Sequence, residues 1–323
     1  MTDADLAEAR AQAAELLNLQ RAEDCERLIR EALARRPTAS FGLATPFALL
    51  MQGRYREGFR EFECRSSRRH ALPRQLPYPE WDGPLMGRRL LVWCEQGLGD
   101  EIQIVRFIPR LRELGASKIT LACSPSAVRA FQQVGADLVI SREGHISIPK
   151  HDYWVMAWSL PHRLGLTLDD ISGAPYLKAA PLGPGGIGLV ERGNPKNHID
   201  RDRSIPDGLL QSAVPQGRLL KADGDIYDSL CRVAALDLLI TVDTSWAHMA
   251  GALGVPCWLL LPSRGLDWRW MRGRSDTPWY DSLRLFRQRT PGDWQGVLRE
   301  VAAELVRGLG TRSASGRPAT ASP

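Results

Sequence analysis

Short apolar runs alternate with helix-length segments from residue 89 onward, and this alternation limits the fold more than any other feature. The runs are rich in Leu, Ile and Val and too short for stable helices, which is typical of buried strands. Strands that alternate with helices in this way indicate βαβ units and a parallel sheet. We predict strands at 89–94, 119–122, 137–140, 187–190, 236–242 and 256–261, and helices at 101–114, 126–134, 245–253 and 293–307.

The chain divides where its composition changes. A Pro-, Arg- and Gly-rich stretch precedes the first apolar run, and a second Gly/Pro-rich stretch at 181–186 separates two series of strands and helices. The fold class predicted is therefore α/β, with two Rossmann-like domains preceded by an α-helical segment. The expected organisation is a helical segment at 1–65, a linker at 66–88, a first Rossmann-like domain at 89–182, a second at 183–310, and a disordered tail at 311–323.

Composition narrows the class of protein further. Of the 323 residues, 44% are hydrophobic and 24% charged, as in ordinary globular proteins. No membrane span or secretory signal is expected, and the six scattered cysteines favour reduced core thiols in a cytoplasmic protein. The net charge of +5 is spread thinly without interleaved aromatic residues, so we expect no nucleic-acid partner.

The N-terminal 65 residues contain an internal repeat. Residues 20–25 recur in type at 53–58, an offset of 33, and each copy lies between two helical stretches. This segment resembles the tetratricopeptide repeat, whose period is about 34 residues. Two such units do not bury a continuous core, so we expect the segment to dock onto the domain that follows. It is also a candidate surface for a protein partner or protein acceptor.

The loop after the first predicted strand carries Gly97, Gly99 and Asp100. Ligands bind at the carboxyl ends of strands in open parallel sheets, and two glycines let the backbone approach a ligand closely. The spacing lacks the third glycine of a dinucleotide fingerprint. On its position alone, Asp100 is more often a helix N-cap than a catalytic group.

The stretch after the strand predicted at 236–242 is the most specific in the chain. Asp243 and Thr244 stand where a helix begins, and free backbone N–H groups there favour a pyrophosphate. His248 lies one turn later on the same face, within reach of the same ligand. A single helical histidine is, by itself, more often a packing residue.

These two stretches carry a family resemblance that extends from about residue 20 to residue 305. Residues 93–109 and 241–254 resemble the lipopolysaccharide heptosyltransferases, in particular a group linked to tetratricopeptide repeats, and distantly the O-linked N-acetylglucosamine transferases. The resemblance implies a glycosyltransferase B-type fold and Asp100 as the general base. It further implies that Asp243, Thr244 and His248 bind the donor diphosphate. Met249 and Gly251 depart mildly from the family pattern, which has leucine and alanine there.

The same resemblance extends to two further loops. It implies donor-phosphate contacts from Asn194 and from Arg203, although three other basic residues, Lys196, His198 and Arg201, share that loop. An aromatic loop carries Trp268 and Trp270, which are candidates for stacking a base or a sugar ring near the cleft. Tryptophans of this kind are more often packing residues.

The resemblance implies an inverting, metal-independent glycosyltransferase that takes a nucleotide-sugar as co-substrate and needs no cofactor. No Asp-x-Asp or His/Cys cluster in the sequence suggests a metal site. The acceptor would be a protein, a saccharide or a lipid. Residues 206–225 are shorter than the family's usual helix–strand pair, and an acidic ribose partner is either lost or rebuilt around Asp223 and Asp225. A degenerate scaffold protein therefore stays open, as does an epimerase or hydrolase.

Overall fold

The structure is a computed structural model that describes residues 1–70, 76–145, 147–195, 200–221 and 224–312. Most of the tail predicted to be disordered, from residue 313 onward, lies outside the described residues, as do Lys196, His198 and Asp223. The last helix extends to Arg312, beyond the boundary expected at residue 310.

The N-terminal segment is helical. Thr2 opens the first helix with a capping box: its hydroxyl accepts the Asp5 N–H, and the Asp5 carboxylate accepts the Thr2 N–H. In the second helix, Cys25, Ile29 and Ala32 recur every three or four residues and are buried on one face. The helices are α1 (Asp3–Asn18), α2 (Ala22–Arg35), α3 (Ala44–Met51), α4 (Tyr55–Glu61) and α5 (Ser67–His70), with a 3₁₀ turn at Phe62–Cys64. Successive helices from α1 to α4 pack on one another, and the assignment of their repeat type stays a prediction.

The first α/β half is built on a four-stranded parallel sheet of order β3-β2-β1-β4. Its strands are β1 (Arg89–Trp93), β2 (Lys118–Cys123), β3 (Leu138–Ser141) and β4 (Tyr153–Met156), and its helices are α6 (Leu98–Ile104), α7 (Ile108–Glu113), α8 (Val128–Phe131) and α9 (Leu160–Arg163). The single helix expected at 101–114 is divided by a 3₁₀ turn at Val105–Phe107. Pro109 has no N–H to donate to the Val105 carbonyl, which accounts for the break.

The second half is built on a five-stranded parallel sheet of order β6-β5-β7-β8-β9. Its strands are β5 (Ile187–Val190), β6 (Arg218–Leu219), β7 (Leu238–Val242), β8 (Cys257–Leu261) and β9 (Leu283–Arg287), and its helices are α10 (Asp200–Arg203), α11 (Leu209–Ala213), α12 (Ile226–Ala234), α13 (Ser245–Leu253) and α14 (Trp294–Arg312). The segment 206–225 is short but still contains a helix and a strand. They are α11 and the edge strand β6, which pairs in parallel with β5. Asp225, one candidate for the ribose partner, caps α12 by accepting the Tyr227 N–H at 2.6 Å.

Buried polar contacts join the helical segment to both halves. The Arg65 guanidinium, only 2% exposed, pairs with the buried Glu95 carboxylate just after β1 and donates to the Ser159 hydroxyl at 2.9 Å. On the other side, the Trp279 indole donates to the Tyr55 hydroxyl at 2.9 Å. The helical segment is thus packed against the α/β body on both sides of the cleft.

Candidate active site

A cavity of about 650 Å³ lies between the carboxyl ends of the two sheets. Its volume falls within the range of pockets that hold ligands the size of a nucleotide or a drug. Of the ten candidate site residues expected from the sequence, Trp270 does not line it and the other nine do: Gly97, Gly99, Asp100, Asn194, Arg203, Asp243, Thr244, His248 and Trp268. The structure therefore gathers around one cavity residues that are far apart in the chain, from Gly97 to Trp268.

Asp100 enters the cavity from the first half. It lies in the first turn of α6. Its carboxylate accepts the N–H of Gly97, the N-cap residue, at 3.1 Å and so satisfies a backbone donor at the start of the helix. The same carboxylate is paired with the Arg269 guanidinium of the second half. Burial raises the pKa of Asp100 above its ordinary value, and the Arg269 cation opposes that rise. Asp100 is thus both a cap and a carboxylate with increased proton affinity inside the cavity.

Arg269 was not among the residues selected from the sequence, although the aromatic loop that carries it was. Its side chain is only 7% exposed. It binds Asp267 at 2.8 Å and stacks against Trp158 and Trp268, with 4.8 and 4.6 Å to the ring centroids.

The second half presents a helix N-terminus to the cavity. Thr244 is the N-cap of α13, and its hydroxyl accepts the Trp246 N–H at 3.3 Å. Asp243 precedes it and lines the cavity with Asp267. Burial, followed by repulsion from the Asp267 carboxylate, raises the pKa of Asp243 to about 6. This end of α13 combines N–H donors with a carboxyl that is easily neutralised, so an anion bound there meets little repulsion once Asp243 is protonated.

His248 lies one turn into α13 and packs closely against α6 of the first half. A Cβ atom added at Gly99 would be only 2.7 Å from the His248 Cδ2, so α6 approaches the imidazole because residue 99 is glycine. The His248 Nδ1 lies 2.8 Å from the Tyr280 hydroxyl. Burial, and then the cations Arg269 and Arg106, lower the pKa of His248 well below its ordinary value, so the ring is neutral.

Arg203 adds a positive charge beside the α13 N-terminus. Its guanidinium donates to the Asp243 carbonyl at 2.7 Å and pairs with Asp200 at 3.0 Å. Gly193 lets this group approach the β5 loop, because a Cβ there would lie 2.6 Å from an Arg203 nitrogen. Exposed Asn194 lines the same side of the cavity. Arg201, the alternative basic residue of α10, is 94% exposed and does not line the cavity.

The two tryptophans of the aromatic loop are buried. Trp268 packs edge-on against Tyr55, Phe59 and Trp158, with ring centroids about 6 Å apart. Trp270 lies under His248 with 5.6 Å between ring centroids, and it is not part of the cavity lining. These contacts favour packing over ligand stacking, although Trp268 does contribute to the wall.

The helical segment also contributes to the cavity, which the sequence did not indicate. Phe47 of α3 and Phe62 of the 3₁₀ turn after α4 line the cavity beside Gln96 and Leu98. The centroids of the two phenylalanine rings are 6.0 Å apart. The cavity therefore has an aromatic wall on the side of Asp100 and an anion-attracting wall on the side of Arg203. Such a division suits one polar, charged ligand and one less polar ligand.

Two other kinds of feature are absent from the part of the chain that the structure describes. No helix in it is long and apolar enough to cross a membrane. Within the same ranges, no group of three or more His, Cys, Asp or Glu side chains is placed to hold a metal ion.

Comparisons with known proteins give a limited picture. No family model matches the chain. Protein FlbA of Caulobacter vibrioides is 29% identical over an alignment of 349 residues, which covers 87% of this chain; the chain spans only 57% of that relative's length. Among solved structures, a glycosyl transferase family 9 protein from Veillonella parvula is 14% identical, with a TM-score of 0.47, over 71% of this chain and 98% of its own.

A second solved structure is TibC from enterotoxigenic E. coli, described as an iron-containing dodecameric glycosyltransferase. It is 13% identical, with a TM-score of 0.45, over 72% of this chain and 78% of its own. Both TM-scores lie below 0.5, so neither likeness carries weight for the function.

Proposed function

We propose that the protein is an inverting glycosyltransferase that moves a sugar from a nucleotide-sugar donor to an acceptor hydroxyl. The observation that carries this proposal is the pairing of two unlike walls around one cavity. Asp100 stands on one wall, and Arg203 with the N-terminus of α13 stands on the other. A base and an anion-stabilising group facing one space are the two elements that a direct displacement at a sugar carbon requires.

The donor would lie against the second half. Its diphosphate carries negative charge, which the N–H groups at the start of α13 and the Arg203 guanidinium would stabilise. As the bond between the anomeric carbon and the diphosphate oxygen breaks, the electron pair goes to that oxygen. Charge then increases where these donors are fixed, so they would stabilise the transition state more than the ground state.

The acceptor would lie against the first half, with its hydroxyl at Asp100. The carboxylate takes the hydroxyl proton as the acceptor oxygen forms its bond to the anomeric carbon. The raised pKa of Asp100 suits this task, because a stronger base accepts the proton more readily. Each carboxylate oxygen in the structure accepts one hydrogen bond, one from Gly97 and one from Arg269, and each retains a lone pair for the acceptor.

A single displacement of this kind inverts the configuration at the anomeric carbon, and no residue need form a covalent intermediate. The donor sugar, its nucleotide and the acceptor are open in this proposal. The aromatic wall of Phe47 and Phe62 favours an acceptor that presents apolar surface beside its hydroxyl.

The experiment that tests the proposal is a binding screen followed by product analysis. The purified chain is titrated calorimetrically with UDP-, GDP-, ADP- and dTDP-linked sugars, and we expect saturable one-to-one binding of at least one of them. Proton NMR of the transfer product should show an anomeric configuration opposite to that of the donor. A lack of saturable binding to every member of a broad donor panel would instead favour a scaffold protein. Release of free sugar or its epimer without transfer would point to a hydrolase or an epimerase.

A further inference from the structure

Tyr280 lies behind His248, on the side of the ring away from Gly99. Its hydroxyl is 2.8 Å from the His248 Nδ1, and both side chains are buried. The opposite edge of the imidazole, with Cδ2 and Nε2, lies closest to Gly99, which lines the cavity. Nδ1 is therefore hydrogen-bonded within the protein, while Nε2 lies on the side of the cavity.

The protonation pattern of His248 decides whether Nε2 donates or accepts a hydrogen bond in the cavity. Because burial and two nearby arginines keep the imidazole neutral, one nitrogen carries a proton and the other accepts. Which nitrogen is protonated is set by the hydrogen bond that the other one makes. If the Tyr280 hydroxyl donates to Nδ1, the proton must be on Nε2, and His248 becomes a donor toward the cavity.

The surroundings of Tyr280 favour the hydroxyl as the donor. Arg106, which has only donors, lies over the Tyr280 ring at 4.7 Å from its centroid and is also close to the Tyr176 ring at 4.5 Å. The neighbouring Tyr176 hydroxyl donates to the Ile102 carbonyl at 2.7 Å, so its own proton is already used. Arg106 lies over the ring of Tyr280 and offers its hydroxyl no acceptor, whereas the His248 Nδ1 at 2.8 Å can accept the phenol proton.

Gly251 leaves the space that the Tyr280 ring occupies beside α13. A Cβ atom at Gly251 would be 2.2 Å from the Tyr280 ring, so the tyrosine packs directly on the backbone of α13. Glycine inside a helix is destabilising relative to alanine. The sequence departs from the resembled pattern at this residue, where alanine is usual, and the structure supplies the reason: alanine would displace Tyr280 from His248.

We propose that Tyr280 is a positioning residue that fixes the proton of His248 on Nε2, so that the imidazole donates a hydrogen bond to a diphosphate oxygen of the donor. This inference rests on the proposed function for the identity of the ligand, but the protonation pattern belongs to the protein alone. The class of ligand is a nucleoside diphosphate, and Tyr280 acts on it only through His248.

The test compares Tyr280→Phe with the matched variant Tyr176→Phe. Both substitutions remove one phenol hydroxyl near Arg106, but only the first removes a partner of His248. Long-range proton–nitrogen NMR on protein labelled at its six histidines reports which ring nitrogen is protonated, and the His248 signals are those lost in His248→Gln. Calorimetry with UDP, GDP and ADP measures nucleotide binding in the wild type, Tyr280→Phe and Tyr176→Phe.

We expect the wild type and Tyr176→Phe to hold the proton on Nε2, and Tyr280→Phe to populate both forms. Loss of the fixed donor should weaken binding of the preferred nucleoside diphosphate about 3- to 10-fold in Tyr280→Phe alone, because only part of the protein then carries the proton on Nε2. A wild-type proton on Nδ1, or an unchanged pattern in Tyr280→Phe, would overturn the proposal. If the pattern is as expected but no nucleoside diphosphate binds the wild type, the ligand assignment fails and the proposed function fails with it.

Discussion

The Asp100 carboxylate and the Arg269 guanidinium form an ion pair that joins the two α/β halves across the cavity. The two residues are 169 positions apart in the chain, and Arg269 is almost fully buried. The pair keeps the proposed base ionised and oriented while burial raises its proton affinity. The same contact, together with Gly99 against His248, holds the two walls of the cavity at a fixed separation.

Arg203 is expected to carry much of the affinity for the donor diphosphate. Arg203→Ala removes a charge-assisted contact of about 1.5–3 kcal/mol, so the Kd for the preferred nucleoside diphosphate should rise about 10- to 100-fold. Isothermal titration calorimetry measures this change. The matched control is Arg201→Ala on the same helix α10, because that side chain is exposed and does not line the cavity.

Because Arg203 also binds Asp200, a thermal melt must show that the variant is folded. Arg203→Lys, which keeps the charge but loses the two-pronged geometry, should give an intermediate Kd. Equal affinity in the wild type and a folded Arg203→Ala protein would remove Arg203 from the donor site.

Asp243 should make the folded protein less stable as the pH rises. Its pKa is raised to about 6 in the folded state, compared with about 3.9 when unfolded, so the folded protein binds more protons between those values. The stability that Asp243 contributes is therefore complete below pH 4 and is lost as the pH rises through 6. The difference in unfolding free energy between the wild type and Asp243→Asn should fall by at most about 3 kcal/mol across this window.

Urea denaturation at pH 4.5, 5.5 and 7 measures that difference. Asp137→Asn serves as a control whose difference should stay constant over this range, because burial raises the pKa of Asp137 but the Ile119 N–H and Arg112 outweigh it and hold the pKa below its ordinary value. The stability that Asp137 provides is present above its unfolded pKa and is lost as the pH falls. A difference for Asp243 that does not change with pH would contradict the raised pKa.

Gly99 should be intolerant of even one added methyl group. In an ordinary helix, Gly→Ala is stabilising by up to about 1 kcal/mol, but here the new Cβ would meet the His248 Cδ2 at 2.7 Å. We expect Gly99→Ala to lower the Tm and weaken nucleoside diphosphate binding, because α6 must move away from α13. Differential scanning calorimetry measures the first effect.

A double-mutant cycle separates the clash from any other effect of the substitution at Gly99. His248→Ala removes the group that Gly99→Ala strikes, so the double variant should be more stable than the sum of the single losses by about 0.5–3 kcal/mol. Strict additivity would show that a clash with His248 is not the reason why alanine at residue 99 is destabilising.

The sequence predicts the main strands and most of the site because both follow from local rules. Buried parallel strands are continuous apolar runs, and the residues just after them, such as Asp100 and Thr244, meet at one sheet edge. The strands β4, β6 and β9 were not predicted. β4 is an apolar run of only four residues, β6 has two residues, and β9 interrupts its apolar residues with Arg284 and Arg287.

The remaining site residues depend on contacts between distant parts of the chain. Arg269 becomes part of the site only because Asp100 lies beside it, and no spacing within the sequence encodes that meeting. Phe47 reaches the cavity because the helical segment packs against both halves through Arg65 and Tyr55. The two tryptophans near the cleft illustrate the reverse case: their local aromatic pattern suggested a platform, whereas tertiary packing buries them.

The most direct test of the account is sugar transfer by Asp100→Asn, with Asp170→Asn as its matched control. Both aspartates accept the N–H of the residue three positions earlier, but Asp170 does not line the cavity. With a donor that binds and an acceptor identified by its gain in intact mass, Asp100→Asn should retain donor binding and lose transfer by about 10²- to 10⁴-fold. Asp170→Asn should transfer at the wild-type rate. Full transfer by a folded Asp100→Asn protein would contradict the assignment of Asp100 as the base.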